Sequence, residues 1–338
     1  MTNQPRAIVP GGPEASELGL GTWALGGPSA AGTQPLGWGA RYDRAEAADV
    51  FRAAFDSGIT LYDTADAYGT GTAERLIGET LSGKRDQITL VSKWGNTIDE
   101  EARQLTGQNA TPGYVRTALR ASLRRLRTDH IDLYLLHLSG LPIAEAAELL
   151  GTLQELVTEG SIRAYGWSTD DPELAAAWQG RPGFGGLEFE INVVHDAPAL
   201  VELCETHGVP GLARGPLGTG LLTGAHPAGS RITDEQDFRC VSPEWLNYFR
   251  DGRPVPELAE ALEAVQQVLT SGGRTLAQGA LAWLWARSPA LIPIPGARTV
   301  AQVKENAAAM EHGPLTAEQM REIDALLAAR VEAGRAKG

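Results

Sequence analysis

Short apolar runs alternate with longer helical patterns along most of this chain, and that alternation constrains its fold more than any other feature. The runs fall at 18–22, 60–63, 88–93, 131–137, 162–168, 187–192, 211–214 and 291–295. Their lengths suit buried strands. Between them, Val115, Leu119, Leu123 and Leu126 recur at helical spacing after Thr111 and Pro112, a helix start signal. Leu149, Leu153 and Leu156 repeat the pattern before Gly160, and Leu276, Ala280 and Trp283 later. Strand–helix alternation implies a parallel sheet covered by helices. Eight strands close an α/β (β/α)8 TIM barrel; a doubly wound open sheet is the alternative. No linker or composition shift cuts the chain, so one barrel domain is expected over 1–338. Its core runs from about 18 to 310, with a C-terminal helix over about 316–331. A Gly/Pro segment at 10–15 reads as an N-terminal hairpin. The stretch 225–256, with Phe238, Trp245, Tyr248 and Phe249, reads as a lid among long substrate-side loops.

Composition narrows the function. Acidic residues outnumber basic ones 42 to 29, a formal charge of −13. Nucleic acid and membranes reward a basic patch and are not expected as partners. Two cysteines, Cys204 and Cys240, are too few for a disulfide framework. Without a signal peptide or an apolar stretch long enough to span a bilayer, a cytoplasmic location is expected.

Chemistry in a barrel sits where the strands finish. The runs end in Asp63, Lys93, His137, Ser168, Asn192 and Arg214. One polar strand end merely caps a helix or starts a turn, but a ring holding an acid, a base and cations points to a site. Only four of the 29 cations are lysines, and Lys93 is one of them. An ammonium shifts its pKa readily, whereas a guanidinium does not. Tyr68 follows Asp63 by five positions; a nearby ammonium lowers a phenol's pKa and makes it a usable general acid. Asp63 can hold Lys93, and His137 can offer a hydrogen bond to a substrate oxygen. The plainer alternatives are a Tyr68 packed under a turn and a His137 satisfied in the core.

Two glycine-bearing segments suit phosphate. Gly215-Pro216-Leu217-Gly218-Thr219-Gly220 lets backbone N–H groups approach an anion. Pro295-Gly296 with Arg298 leads into a helix start, and loops after the last two strands are a frequent phosphate site of barrels. The run from Gly69 carries Glu74 where a dinucleotide fingerprint needs a small residue, so a Rossmann site is rejected. No metal-binding or serine-nucleophile motif is present, and no metal is expected.

Taken in order, Gly21-Thr-Trp23, the octapeptide from Tyr62 to Gly69, Val91-Ser-Lys93 and Ser122-Leu-Arg-Arg-Leu126 resemble the aldo-keto reductases. The resemblance continues with the segment from Asp129 to His137, Gly166-Trp-Ser168, Gly215-Pro-Leu217 and Ile294-Pro-Gly296 through Asn306. It implies NADP(H)-dependent reduction of an aldehyde or ketone, with Asp63, Tyr68, Lys93 and His137 as the catalytic set. It assigns cofactor contacts to Gly21, Thr22, Trp23, Asp63, Ser168, Glu188, Arg214, the segment Gly215 to Gly220, Pro295, Gly296, Arg298, Gln302 and Asn306. Trp23, Tyr68, Trp94 and His137 are expected in the substrate pocket. Three departures stand out. Thr169 and Glu188 replace the family's usual Asn and Gln, and Arg214 replaces an aromatic. A lysine found in some branches is missing at Gly296. A free Arg214 guanidinium would repel a cationic, oxidised nicotinamide and so favour NADPH over NADP⁺. A cofactor-binding regulatory subunit and a nicotinamide-assisted sugar dehydratase or epimerase are the competing readings. A monomer or small homo-oligomer acting on a small carbonyl compound is expected.

Overall fold

The computed structural model of the chain describes residues 6–39 and 41–335. Eight strands build its central sheet: β1 (Gly19–Gly21), β2 (Leu61–Asp63), β3 (Thr89–Trp94), β4 (Ile131–Leu136), β5 (Ile162–Ser168), β6 (Phe184–Glu190), β7 (Gly211–Arg214) and β8 (Leu291–Pro293). They pair in chain order and all in parallel. A parallel bridge between Gly21 and Gly296 and a bond from Gly21 N to Pro295 O (3.0 Å) bring the two edges together. The expected (β/α)8 barrel is the fold. A Cβ on Gly21 would lie 2.6 Å from Ile294 O, so this seam needs a glycine.

The helices start where the sequence signals them. In α1 (Arg44–Asp56), the Asp43 carboxylate accepts from the N–H groups of Ala45 and Glu46. Thr111 caps α2 (Pro112–Leu126). Thr275 and Gln278 form a capping box on α3 (Leu276–Arg287), and Thr299 caps α4 (Val300–His312). The C-terminal helix spans Ala317–Arg335.

Strand periodicity splits the apolar residues into two layers. Leu61, Val91, Leu133, Leu135, Ala164, Leu212, Ile292 and Ile294 fill the barrel interior. Leu20, Tyr62, Leu90, Trp94, Tyr134, Leu136, Tyr165 and Trp167 pack outward beneath the helices. The expected hairpin is present: Arg6–Ala7 pairs with Glu14–Ala15, and Ile8, Val9 and Ala15 join the interior layer. The stretch 225–256 holds a short helix, Phe238–Val241, and the paired segments Phe249–Arg250 and Arg253–Pro254. A four-stranded rim sheet from Ala30–Ala31, Gln34–Pro35, Asn96–Asp99 and Gln104–Gln108 is an addition that the alternation pattern does not announce.

Candidate active site

Beyond the C-terminal ends of the strands lies a cleft of about 470 Å³. Tyr68 reaches it from the turn after β2. That turn is pinned by a close backbone approach: a Cβ on Gly26 would lie 2.6 Å from the Tyr68 carbonyl carbon. Beneath the cleft, on the inward face of β3, Lys93 is wholly buried. Its Nζ donates to Asp63 Oδ1 (2.6 Å), to Thr64 O (3.1 Å) and to Tyr68 Oη (3.1 Å). His137, the first residue after β4, meets the Tyr68 ring edge-on at 5.8 Å between centroids. The four residues expected to act together therefore do converge.

Their electrostatics follow from burial and neighbouring charge. Burial alone would depress the Lys93 ammonium, but Asp63 and Glu188 outweigh it and hold it above its ordinary value. Burial raises the Asp63 carboxyl well above its usual range. Glu188 raises it further by its charge, while Lys93 opposes both. Tyr68 differs from expectation. Lys93 does pull its phenol down, but burial is the larger effect, and Asp63 and Glu188 add to it, so the phenol ends above its ordinary value. Burial, with Lys93 and Arg214, pushes His137 down to about 3. A neutral imidazole results, able to donate one N–H, and its Nδ1 has no partner among the described residues.

Of the residues expected at the cofactor, Gly21, Thr22, Trp23, Asp63, Arg214, Gly215, Pro216, Leu217, Thr219, Gly220, Gly296, Arg298, Gln302 and Asn306 line the cleft. The buried hydroxyls of Thr22 and Thr219 have no partner among the described residues. The loop that follows β7 holds Thr219 at φ 51° and Gly220 at φ 104°, a backbone shape that cradles anions. Arg298 precedes the N-terminus of α4, which favours negative charge. Gly218 and Pro295 lie behind this lining and shape it through backbone: Gly218 N donates to Gly215 O, and Pro295 O accepts from Gly21 N.

Four expectations need correction. Trp94 is not in the substrate pocket. It adjoins Lys93 on β3, so the strand's two-residue period turns it outward, fully buried against Tyr134. Glu188 and Ser168 do not face the cleft either. Glu188 is wholly buried, accepts from Ser168 Oγ at Oε1 (3.1 Å) and presents Oε2 to Lys93 Nζ at 3.2 Å. Nor is Arg214 a free cation: it pairs with Asp170 at 2.5 Å and approaches Glu190 at 4.0 Å, which offsets the repulsion expected towards an oxidised nicotinamide.

Sequence reasoning also missed part of the lining. Trp38, Glu190, His226, Arg239 and Leu246 all reach the cleft. Trp23, Trp38, Phe238 and Trp245 form an aromatic wall, with Trp23 and Phe238 at 4.6 Å and Phe238 stacked on Trp245 at 5.4 Å. Arg239 binds Asp237 through Nε (2.9 Å) and donates to Thr219 O (3.1 Å), so it ties the stretch 225–256 to the glycine-rich loop. Only its aromatic content hints at this in the sequence.

Comparison with known proteins gives the family and the fold. The family model described as "Aldo/keto reductase family" matches residues 17–328. The aldo-keto reductase YhdN of Bacillus subtilis is 31% identical, covering 95% of this chain and 92% of its own. An NADH-specific methylglyoxal reductase of Escherichia coli is 30% identical over 87% of this chain and 90% of its own. Among solved structures, the glycerol dehydrogenase AKR11B4 of Gluconobacter oxydans is 27% identical with a TM-score of 0.79, covering 98% of this chain and 97% of its own. A Klebsiella pneumoniae aldo-keto reductase, solved with NADPH, is 27% identical with a TM-score of 0.65, covering 93% of this chain and 92% of its own. The chain belongs to the aldo/keto reductase family.

Proposed function

We propose that this protein reduces an aldehyde or ketone to the alcohol with NADP(H), and that Tyr68 supplies the proton. The observation that carries this reading is the Lys93 ammonium held between Asp63 Oδ1 and Tyr68 Oη at the floor of the cleft. The residues present fit the cofactor. Unpartnered Thr22 and Thr219 hydroxyls, the loop after β7 and Arg298 at the start of α4 would hold its phosphates and ribose. When bound, the cofactor supplies hydride to the carbonyl carbon. Tyr68 gives its proton to the carbonyl oxygen as negative charge develops there. Lys93 steadies the phenolate left behind, and Asp63 fixes Lys93. Neutral His137 offers an N–H to the same oxygen, a polarising contact of the oxyanion-hole kind. Trp23 and Trp245 present apolar surface to the substrate.

The test combines pure protein, NADPH or NADH, and a panel of aldehydes, ketones and sugars. Steady cofactor oxidation with a carbonyl compound is the expected result. Binding without turnover would point to a regulatory subunit, and substrate loss with no net NADPH change to a dehydratase or epimerase. Tyr68→Phe should still bind NADPH, read by cofactor fluorescence, while kcat falls by about 10²–10⁴. Undiminished turnover would remove Tyr68 from its role.

A further inference from the structure

Lys93 is held by two carboxyls, not one. Asp63 approaches its Nζ from β2 at 2.6 Å and Glu188 from β6 at 3.2 Å. The side chains of Lys93 and Glu188 are wholly buried, and that of Asp63 is 3% exposed. Two ionised carboxylates on one ammonium would leave a surplus negative charge out of water, a costly state that one proton removes. The geometry also leaves a place for that proton. Glu188 Oε1 accepts from Ser168 Oγ, but Oε2 has no hydrogen bond among the described residues despite its burial, and the three N–H groups of Nζ go to Asp63, Thr64 and Tyr68. Two ionised carboxylates can only accept, so Asp63 can satisfy that atom only if one of the two carries a proton.

We propose that Glu188 is a positioning residue of the proton donor: Asp63 and Glu188 share one proton beside Lys93, and the charge the pair gains on losing it keeps the phenolic proton on Tyr68. The inference rests on the reading of Tyr68 as the donor. The charged and titratable groups acting on this pair are Lys93 from β3, Tyr68 from the turn after β2 and Arg214 from β7. When the pair loses its proton it gains a negative charge. That charge is close enough to Tyr68 to hold its proton in place. The site then remains a reductant into the alkaline range, where a lone Asp63–Lys93 pair would have released the phenol. Glu188 thus acts through Lys93 and Asp63 on the direction in which the enzyme works best.

Glu188→Gln removes the second carboxyl while keeping shape and the acceptor for Ser168. Two measurements test the proposal on the full-length protein. Infrared difference spectra of wild type minus variant at neutral pH should contain a protonated-carboxyl band; Asp66 is unchanged and cancels. The pH profile of kcat for reduction should lose its alkaline limb about one pH unit earlier in the variant, with KM for NADPH little changed. Absence of the band, or superimposable pH profiles, overturns the proposal. Where Glu188→Gln does not fold, Asp63→Asn decides by the same spectrum, because a band that survives it is not the pair's. If wild type reduces no carbonyl compound, the functional reading fails on its own while the band still reports on the shared proton.

Discussion

Residue by residue, the charges around the cleft explain one another. Arg214 is held by Asp170, so its guanidinium does not confront the cofactor alone. Wild type should therefore bind NADP⁺ and NADPH with similar affinity, and Asp170→Asn should weaken NADP⁺ selectively, by about tenfold for one uncompensated charge. Fluorescence titration with both forms checks this; an unchanged ratio would show that Asp170 does not govern it. Asp66, two positions before Tyr68, is buried with Oδ1 unpartnered, and burial together with Glu74 raises its carboxyl well above the ordinary range. A raised acid binds its proton more tightly in the folded state. Its contribution is fully present below the unfolded value of about 4 and is lost as pH rises through the folded one. Asp66→Asn lacks that loss, so its melting temperature should gain on wild type as pH rises above about 5. A constant difference would contradict the sign. The convergence of Asp63, Tyr68, Lys93 and His137 was legible from scarcity and spacing, since a rare lysine closes an apolar run. The second carboxyl on Lys93 was not, because nothing in a linear sequence shows that a side chain of β6 meets those of β2 and β3 across the barrel interior.

At the scale of elements, the turns after the strands carry the site. Arg239, on the short helix after Asp237, is half of a buried pair and also reaches Thr219 O, and its guanidinium lies over the Trp38 ring at 4.9 Å. Arg239→Leu leaves Asp237 buried without its partner, a loss of about 3–5 kcal/mol. The expected signs are early proteolytic cutting within 225–256 and weaker NADPH binding in the same variant; resistance equal to wild type would argue that the loop stands without this clasp. The barrel strands were readable because apolar runs bounded by glycine and polar residues have few other solutions. Their ends were less so. β4 stops at Leu136, and β6 begins at Phe184, ahead of the glycine pair that masks its apolar pattern. The rim sheet escaped notice because its strands are only two to five residues long and lack an alternating apolar face.

For the molecule as a whole, stability and chemistry occupy opposite ends of one barrel. The N-terminal hairpin plugs the end away from the cleft with Ile8, Val9 and Ala15. Val9→Ala should lower stability by about 1–3 kcal/mol in a denaturant melt and leave kcat at moderate temperature unaltered. A matching fall in kcat without loss of folded protein would refute this division. The formal charge of −13 likewise does not prevent binding of an anionic cofactor, because Arg298 and the N-terminus of α4 supply a local positive potential. The seam between β1 and β8 has a further consequence. Gly21 and Gly296 come from nearly opposite ends of the chain, so their meeting closes a very long loop and weighs on folding speed. Both residues also line the cleft, along with groups from the last two loops. A ligand seated there would act as a clasp across the seam, resisting its reopening. Saturating cofactor should then slow hydrogen exchange most at β1 and β8, so that in this fold the ligand finishes the closure that the strands begin.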